Sequence, residues 1–374
     1  MDCRNPRRRL AAAAPPAGAL PDDALVEILS YLPVKPLHRF KCVARGWRDL
    51  IDDPSIRRKL AQTVEGFFVM DDGGDWGSFS FVNLLARSVP LDIDPSFSFL
   101  TSLPGIETLA FLDSCNGLLL FEHRRKSAPR CVLGYIVCNP VTKEWGSVPN
   151  CGCRPLRPVY GRSSYLVFDP AVSPHFHLIL FRDEPDEASR ILVMPHAYSS
   201  ETGTWSHIHT DWNMQQEQEG QSEEWWRYQG LSPVQSPRRA LVNGMMHLIV
   251  MYLQNLVAVD VQGKTQRIIP VPDVARWDAF AYVDVAQSQG RLHYLRESIQ
   301  GDTLSIWVLK DYGTDTQEWV LLDTLNFLLL FGKRSYSCGQ REFRVVAIHP
   351  DCNVVFLAQF SELKLISTTW IVKK

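Results

Sequence analysis

A chain of 374 residues exceeds what one hydrophobic core usually supports, so two domains are expected. An apolar fraction of 45% excludes a largely disordered chain, and 39 Lys plus Arg against 41 Asp plus Glu exclude the strong field that would draw it to nucleic acid or an anionic membrane. The longest apolar runs, such as residues 248–253 and 327–331, fall far short of the roughly 18 residues that span a bilayer, so a soluble chain is expected.

Residues 1–19 hold Arg4, Arg7, Arg8 and Arg9 and an Ala/Pro/Gly run that cannot bury enough surface to order itself; they read as a solvated lead, with an import or transit signal as the alternative. A first helix is predicted from Pro21, Asp22 and Asp23, because proline costs nothing at unpaired N–H groups and carboxylates favour the positive end of the dipole. Leu25, Ile28, Leu29 and Leu32 follow at i, i+3, i+4 and i+7, and Pro33 stops the helix. A second helix is predicted near Pro36 with Leu37, Phe40, Ala44 and Trp47 on one face, and a short third one carries Leu50 and Ile51 before Asp53 and Pro54. Three short helices in about forty residues form a module too small to be very stable alone. Leu20, Pro21, Leu25, Ile28, Leu29, Leu32, Pro33, Leu37, Phe40, Val43 and Trp47 are more large apolar groups than such helices can hide from each other, so part of the set is expected to meet a partner, with Leu29 and Trp47 the expected core pair.

Beyond residue 65 the texture turns to β: apolar runs of four to seven residues separated by Asn-Gly, Asp-Pro, Asn-Pro and Gly-Lys turns. Residues 61–110 hold the first strands, with Asp71-Asp72-Gly73-Gly74 as a turn. A loose repeat then follows. Its units run through Cys115–Trp145, Tyr165–Trp205, Leu241–Gln266 and Gly290–Trp319, and a fifth, unfinished one starts at Val345. The turn-plus-aromatic positions Trp145, Trp205, Gln266 and Trp319 recur every 53 to 61 residues, somewhat long for a propeller blade. Small sheets of this kind stay wet until neighbours stack on them, which favours a propeller-like array; one irregular β-sandwich is the alternative. The sequence stops abruptly at residues 370–374, so the last blade is expected to be incomplete, with an open strand edge. Residues 212–239 read as a polar surface loop between units.

Residues 20–37 (Leu-Pro-Asp-Asp-Ala-Leu-Val-Glu-Ile-Leu-Ser-Tyr-Leu-Pro-Val-Lys-Pro-Leu), then Arg39-Phe40-Lys41-Cys42-Val43 and residues 45–51 (Arg-Gly-Trp-Arg-Asp-Leu-Ile), closely resemble the plant F-box motif. Ser114-Cys115-Asn116-Gly117-Leu118-Leu119, Asn139-Pro140-Val141-Thr142-Lys143-Glu144-Trp145 and the 309–319 segment resemble, more diffusely, the partly kelch-like β domain of plant F-box proteins. The resemblance implies an α+β multidomain chain: a lead over 1–19, a three-helix F-box over 20–62, and a propeller-like β domain over 63–374. It further implies an adaptor of an SCF-type ubiquitin ligase, holding a Skp1-like protein, and through it a cullin, by the F-box, and a protein target by the β domain.

Enzymatic signals are weak. The sequence has no phosphate loop, no Gly-x-Ser-x-Gly elbow, no His-Glu-x-x-His and no complete dinucleotide turn, so no catalytic, cofactor or metal residues are assigned. His175-x-His177, His207-x-His209 and Cys151-x-Cys153 have spacings compatible with zinc but form no four-ligand set, and read as ordinary surface or packed residues. Asp183-Glu184-Pro185-Asp186-Glu187 reads as a solvated turn, and Trp225, Trp226 and Tyr228 either anchor a target or cap a blade. The nine scattered cysteines, the lack of an Asn-x-Ser/Thr sequon and of an apolar N-terminal run point to cytosol or nucleus. A propeller-type enzyme, a glycan-binding lectin and an F-box protein acting without ubiquitination remain the alternative functions.

Overall fold

The computed structural model describes residues 20–30, 40, 43–53, 64, 66–70, 79–84, 93–152, 163–170, 172–185, 191–207, 239–250, 255–272, 282–337 and 340–370. The chain divides into two compact units, Met1–Thr63 and Val64–Lys374.

The first unit contains α1 (Asp22–Ser30) and α2 (Arg45–Asp52). Asp22 and Asp23 occupy the first turn of α1, where they complement the helix dipole. The predicted continuous helix through Phe40, Ala44 and Trp47 is broken instead: Val43 lies in a turn and Ala44 is an extended N-cap with φ −152°. Trp47, Leu50 and Ile51 therefore share α2. Leu32, Pro33 and Leu37 lie outside the described residues, and with them the rest of the expected three-helix arrangement.

The second unit is a propeller of five blades preceded by a hairpin, β1 (Gly66–Met70) with β2 (Phe79–Asn83), and a short helix α3 (Ser98–Thr101). The Asp71–Gly74 turn lies outside the described residues, between the two strands expected there. Blade one is β3 (Thr108–Cys115), β4 (Leu118–Arg125), β5 (Ala128–Cys138) and β6 (Trp145–Pro149). Blade two is β7 (Ser163–Val167), β8 (His177–Pro185), β9 (Ile191–Ser199) and β10 (Thr204–His207). Blade three comprises β11 (Ala240–Val242), β12 (Met245–Val250), β13 (Asn255–Val259) and β14 (Thr265–Pro270). Blade four comprises β15 (Val283–Ser288), β16 (Arg291–Glu297), β17 (Thr303–Lys310) and β18 (Glu318–Asn326), followed by α4 (Phe327–Phe331) and a small pair, β19 (Tyr336–Ser337) with β20 (Gln340–Arg341). In blade five the described strands are β21 (Phe343–Ile348), β22 (Val354–Gln359) and β23 (Lys364–Thr369). Each blade is an antiparallel meander in sequence order, and first strands lie side by side: β3 by β7, β11 by β15, β15 by β21.

The period-2 rule explains the stacking, because both faces of a blade are covered and successive side chains serve opposite neighbours. On β8, Leu178 and Leu180 pack toward blade one with Leu120 and Val137, while Ile179 and Phe181 pack toward blade three with Leu248 and Val257. Blades three and four meet through Leu256, Ile269, Leu292 and Trp307, and blades four and five through Leu304, Ile306, Phe343 and Leu357. The 1→2 turns Asn116-Gly117, Asn243-Gly244 and Gln289-Gly290 all have positive φ at both residues, as a two-residue type I′ hairpin requires.

The hairpin stands between the last blade and the first. Phe68 and Phe79 pack on the blade-one cluster with Phe97 and Phe121, while Phe67, on the opposite face of β1, meets Phe356 of blade five with ring centroids 5.2 Å apart. The first part of the expected 183–187 turn is strand instead: the backbone of Asp183, Glu184 and Pro185 continues β8 and pairs with Val193, Leu192 and Ile191, while Asp186 and Glu187 lie outside the described residues. Cys115, Cys131, Cys138 and Cys352 are free thiols, and Cys151 is disulfide-bonded.

Candidate functional site

In the helical unit the side chains separate by face. Leu25, Leu29 and Ile51 are buried together, with Phe40, Trp47 and Leu50 packed around them and the Phe40 and Trp47 rings 5.1 Å apart. Leu20, Ile28 and Val43 remain 57%, 48% and 64% exposed, and Pro21 is exposed beside them. Among the described residues, the apolar groups expected to meet a partner thus divide into an internal cluster and an uncovered set of Leu20, Pro21, Ile28 and Val43. An apolar group left in water on so small a unit stabilises nothing until another surface covers it.

Among the described residues, the most enclosed ion pair of the propeller ties its innermost strands together. Asp113, on innermost strand β3, meets Arg239, immediately before β11, at 2.6 Å, with both side chains almost fully enclosed. Asp113 also accepts from the Leu166 N–H at 2.7 Å and the Ser114 N–H at 2.8 Å, and Arg239 donates to the carbonyls of Ser114 and Leu166. Burial pushes the Asp113 carboxyl up, against the pull of Arg239. Blades one, two and three are thereby tied to one guanidinium, which corrects the reading of Arg239 as the end of a solvated loop. Sealed inside and fully bonded, the pair serves as a latch and leaves no group free to act on a ligand.

Besides the exposed Val69, Val141, Trp145, Val172 and Leu321, a group of exposed apolar side chains lies on blades four and five. The 298–302 turn, α4 and the 360–363 turn are joined by Ser335 N–H to Gly301 O at 2.5 Å, Phe327 N–H to Asp302 O at 2.7 Å and Lys333 Nζ to Ser361 Oγ at 3.1 Å. Ile299, Leu328, Leu329, Leu330, Phe360 and Leu363 project there, Leu329 and Leu363 being 85% and 91% exposed. Glu342 anchors the polar part: hydrogen bonds from Ser361 and Gln359, then Lys333, hold its carboxyl at about 2, well below the ordinary range. The composition suits contact with another protein, whose core patches are apolar and whose rims are polar.

His175 and His177 are half-buried at the start of β8, His207 pairs through its backbone with His196, and His209, Cys153, Trp225, Trp226 and Tyr228 lie outside the described residues. Among the described residues no group of three His, Cys, Asp or Glu is placed to hold a metal ion. Burial raises the Cys138 thiol to about 12, so it packs as a small hydrophobe.

Residues 19–59 match the F-box domain, and residues 91–370 match a family described as F-box protein At3g26010-like, beta-propeller. F-box protein At5g49610 of Arabidopsis thaliana is 26% identical over 334 residues, 84% of this chain and 81% of that protein. F-box protein At5g07610 of the same plant is 29% identical over 198 residues, spanning 50% of this chain but only 44% of that longer relative. Among solved structures, a virginiamycin B lyase from Staphylococcus aureus aligns over 72% of this chain and 87% of that one at 8% identity and a TM-score of 0.31, too distant to bear on function.

Proposed function

This chain belongs to the At3g26010-like beta-propeller family of F-box proteins, and from that premise we propose that it is the substrate-recognition adaptor of an SCF (Skp1-cullin-F-box) ubiquitin ligase. The helical unit takes a Skp1-like protein and, through it, the cullin; the propeller takes the protein target. The adaptor itself supplies no bond-making group. By holding a target near a charged ubiquitin-conjugating enzyme it converts a bimolecular transfer into a nearly intramolecular one.

The observation that carries this reading is the coincidence of the F-box match over 19–59 with a unit that buries Leu25, Leu29 and Ile51 yet leaves Leu20, Ile28 and Val43 uncovered. The experiment is co-purification of the full chain with a Skp1-like protein. Ile28→Asp with Val43→Asp places two carboxylates on the uncovered face and abolishes the complex while the melting profile of the chain is kept. Leu25→Asp with Leu29→Asp instead collapses the helical core and serves as the unfolding control. A surface-charged variant that still binds like wild type refutes the assignment. A cytosolic or nuclear location is checked by imaging a tagged chain.

A further inference from the structure

The β4–β5 hairpin of blade one carries at its tip the sequence Arg124-Arg125-Lys126-Ser127, and nowhere else in the chain does a serine or threonine stand three residues after the first of two adjacent arginines. The strands pair in register from Leu119↔Cys138 to His123↔Gly134, after which the register slips on both sides of Arg124, to Arg124↔Val132 and then to Arg125↔Ala128. Residues 129–131 therefore fall outside the register, and the single pair Arg125↔Ala128 closes the turn made by Lys126 and Ser127. A tip held by so few ladder bonds opens locally without disturbing the blade beneath it.

Charge is sorted along the tip. Arg124 closes Nε and a terminal nitrogen on Oε2 of the buried Glu122, both at 2.6 Å. Arg125, Lys126 and Ser127 are exposed; among the described residues neither cation makes an ion pair and the serine hydroxyl has no hydrogen-bond partner. Two bonds pin the tip to the opening of β3: the Lys126 N–H donates to Glu107 Oε2 at 2.6 Å, and the Thr108 hydroxyl donates to the Arg124 carbonyl at 2.6 Å. Among these described side chains, two exposed cations, Arg125 and Lys126, stand against the one Glu107 carboxylate and leave the tip net positive.

We propose that Ser127 is a phosphorylation site for a serine/threonine kinase of the class that reads arginines ahead of its acceptor. Guanidiniums two and three residues before the hydroxyl, with a lysine directly before it, suit an acidic substrate groove, and kinases choose substrates by such charge patterns. Arg125 is presented directly, and Arg124 leaves Glu122 as the tip peels back. In the step, Ser127 Oγ bonds to the γ-phosphorus of ATP while the bond from that phosphorus to the β–γ bridging oxygen breaks; ADP departs and the hydroxyl proton passes to the kinase's carboxylate base. The phosphate brings a charge of about −1.5 to −2, which outweighs the positive excess of the tip and reverses its sign. It also sets a second anion close to the Glu107 carboxylate, which weakens the bond from the Lys126 N–H and loosens the turn. This inference stands apart from the adaptor reading, since it requires neither a Skp1-like protein nor a target.

The test incubates the purified full chain with ATP and the catalytic subunit of cyclic-AMP-dependent protein kinase, a probe that requires this arginine pattern, and maps phosphate by mass spectrometry after cleavage at glutamates. Wild type is expected to carry phosphate at Ser127, and Ser127→Ala to lose it at an unchanged melting temperature. Arg125→Gln leaves the Arg124–Glu122 pair in place and lowers the initial rate at Ser127 by about tenfold or more. A synthetic peptide of residues 121–131 is run alongside, so the outcome does not hang on the folding of any variant. Phosphate on the peptide but not on the folded chain shows a covered tip and overturns the proposal. Absence of phosphate from both, or an Arg125→Gln rate equal to wild type, overturns the arginine reading. Hydrogen exchange at the Lys126 amide is expected to quicken on phosphorylation, and an unchanged rate there overturns the loosening of the turn.

Discussion

Replacing Arg239 with methionine leaves the Asp113 carboxylate enclosed between blades without its counter-charge. The carboxylate keeps the Leu166 and Ser114 N–H groups at 2.7 and 2.8 Å but loses the charge-assisted bond at 2.6 Å, and the carbonyls of Ser114 and Leu166 lose their shared donor. Breaking a buried pair from one side costs about 3–5 kcal/mol, which for a domain of this size lowers the melting temperature by about 10 °C. Asp113→Asn keeps an acceptor for the Leu166 N–H, so the double variant Asp113→Asn, Arg239→Met is expected to recover about 2 kcal/mol relative to the sum of the singles. Chemical denaturation of the four proteins closes the cycle. The pH dependence gives a second reading. Without Arg239, burial is opposed only by the Leu166 and Ser114 N–H bonds, so the folded pKa of Asp113, already raised by burial, moves further above the unfolded value near 3.9 and the native state retains a proton that the unfolded chain releases. Stability of the single variant then falls as pH rises through that folded pKa, and its deficit against wild type is smaller at pH 5 than at pH 8. Additive single effects, or a deficit independent of pH, would refute the latch.

Three further outcomes are expected. Trp319→Phe and Trp205→Phe each delete one indole bond to a proline carbonyl, that of Pro270 at 2.7 Å or Pro149 at 2.9 Å, while keeping the ring, at about 1 kcal/mol apiece; because they serve different blade pairs, the losses add in denaturant titrations. Burial depresses both His247 and His293 to about 4 from an ordinary 6.5. The unfolded chain therefore binds more protons between those values, and stability declines as pH falls from 6.5 to 4, by up to about 3 kcal/mol per group; His247→Phe flattens that slope in melts across the window. Leu29→Ala opens the helical core at a cost of about 2–5 kcal/mol, read as lost helical signal and lost binding to a Skp1-like protein.

Much of the propeller was legible because its determinants are local. Trp145, Trp205, Gln266 and Trp319 all lie in the fourth strand of their blades, and Asn116-Gly117 and Asn243-Gly244 make the hairpins that their left-handed preference dictates. The start of α1 was equally plain from Pro21, Asp22 and Asp23. The break at Ala44 was not, since Phe40, Ala44 and Trp47 keep a helical period while the chain turns between them to bring the two rings together. Asp113 and Arg239 lie 126 residues apart, and neither stands in a motif, so their pairing follows from topology alone. The division of the F-box residues between a core and an uncovered set was invisible for the same reason: Leu25, Ile28 and Leu29 share one stripe, and only the position of α2 decides which of them it covers.

The Phe67–Phe356 contact joins residues about 290 positions apart, which sets a timetable for synthesis. At about 5–20 residues per second, a ribosome takes roughly 15–60 s to deliver the phenylalanine that shields the first one. Throughout that interval the amino-terminal strands wait with an aromatic face open to water, and a premature stop anywhere before the final blade releases a chain that can never shut. Such truncated products are natural clients for chaperones and proteases, so the open aromatic face marks any chain whose fifth blade has not yet been made.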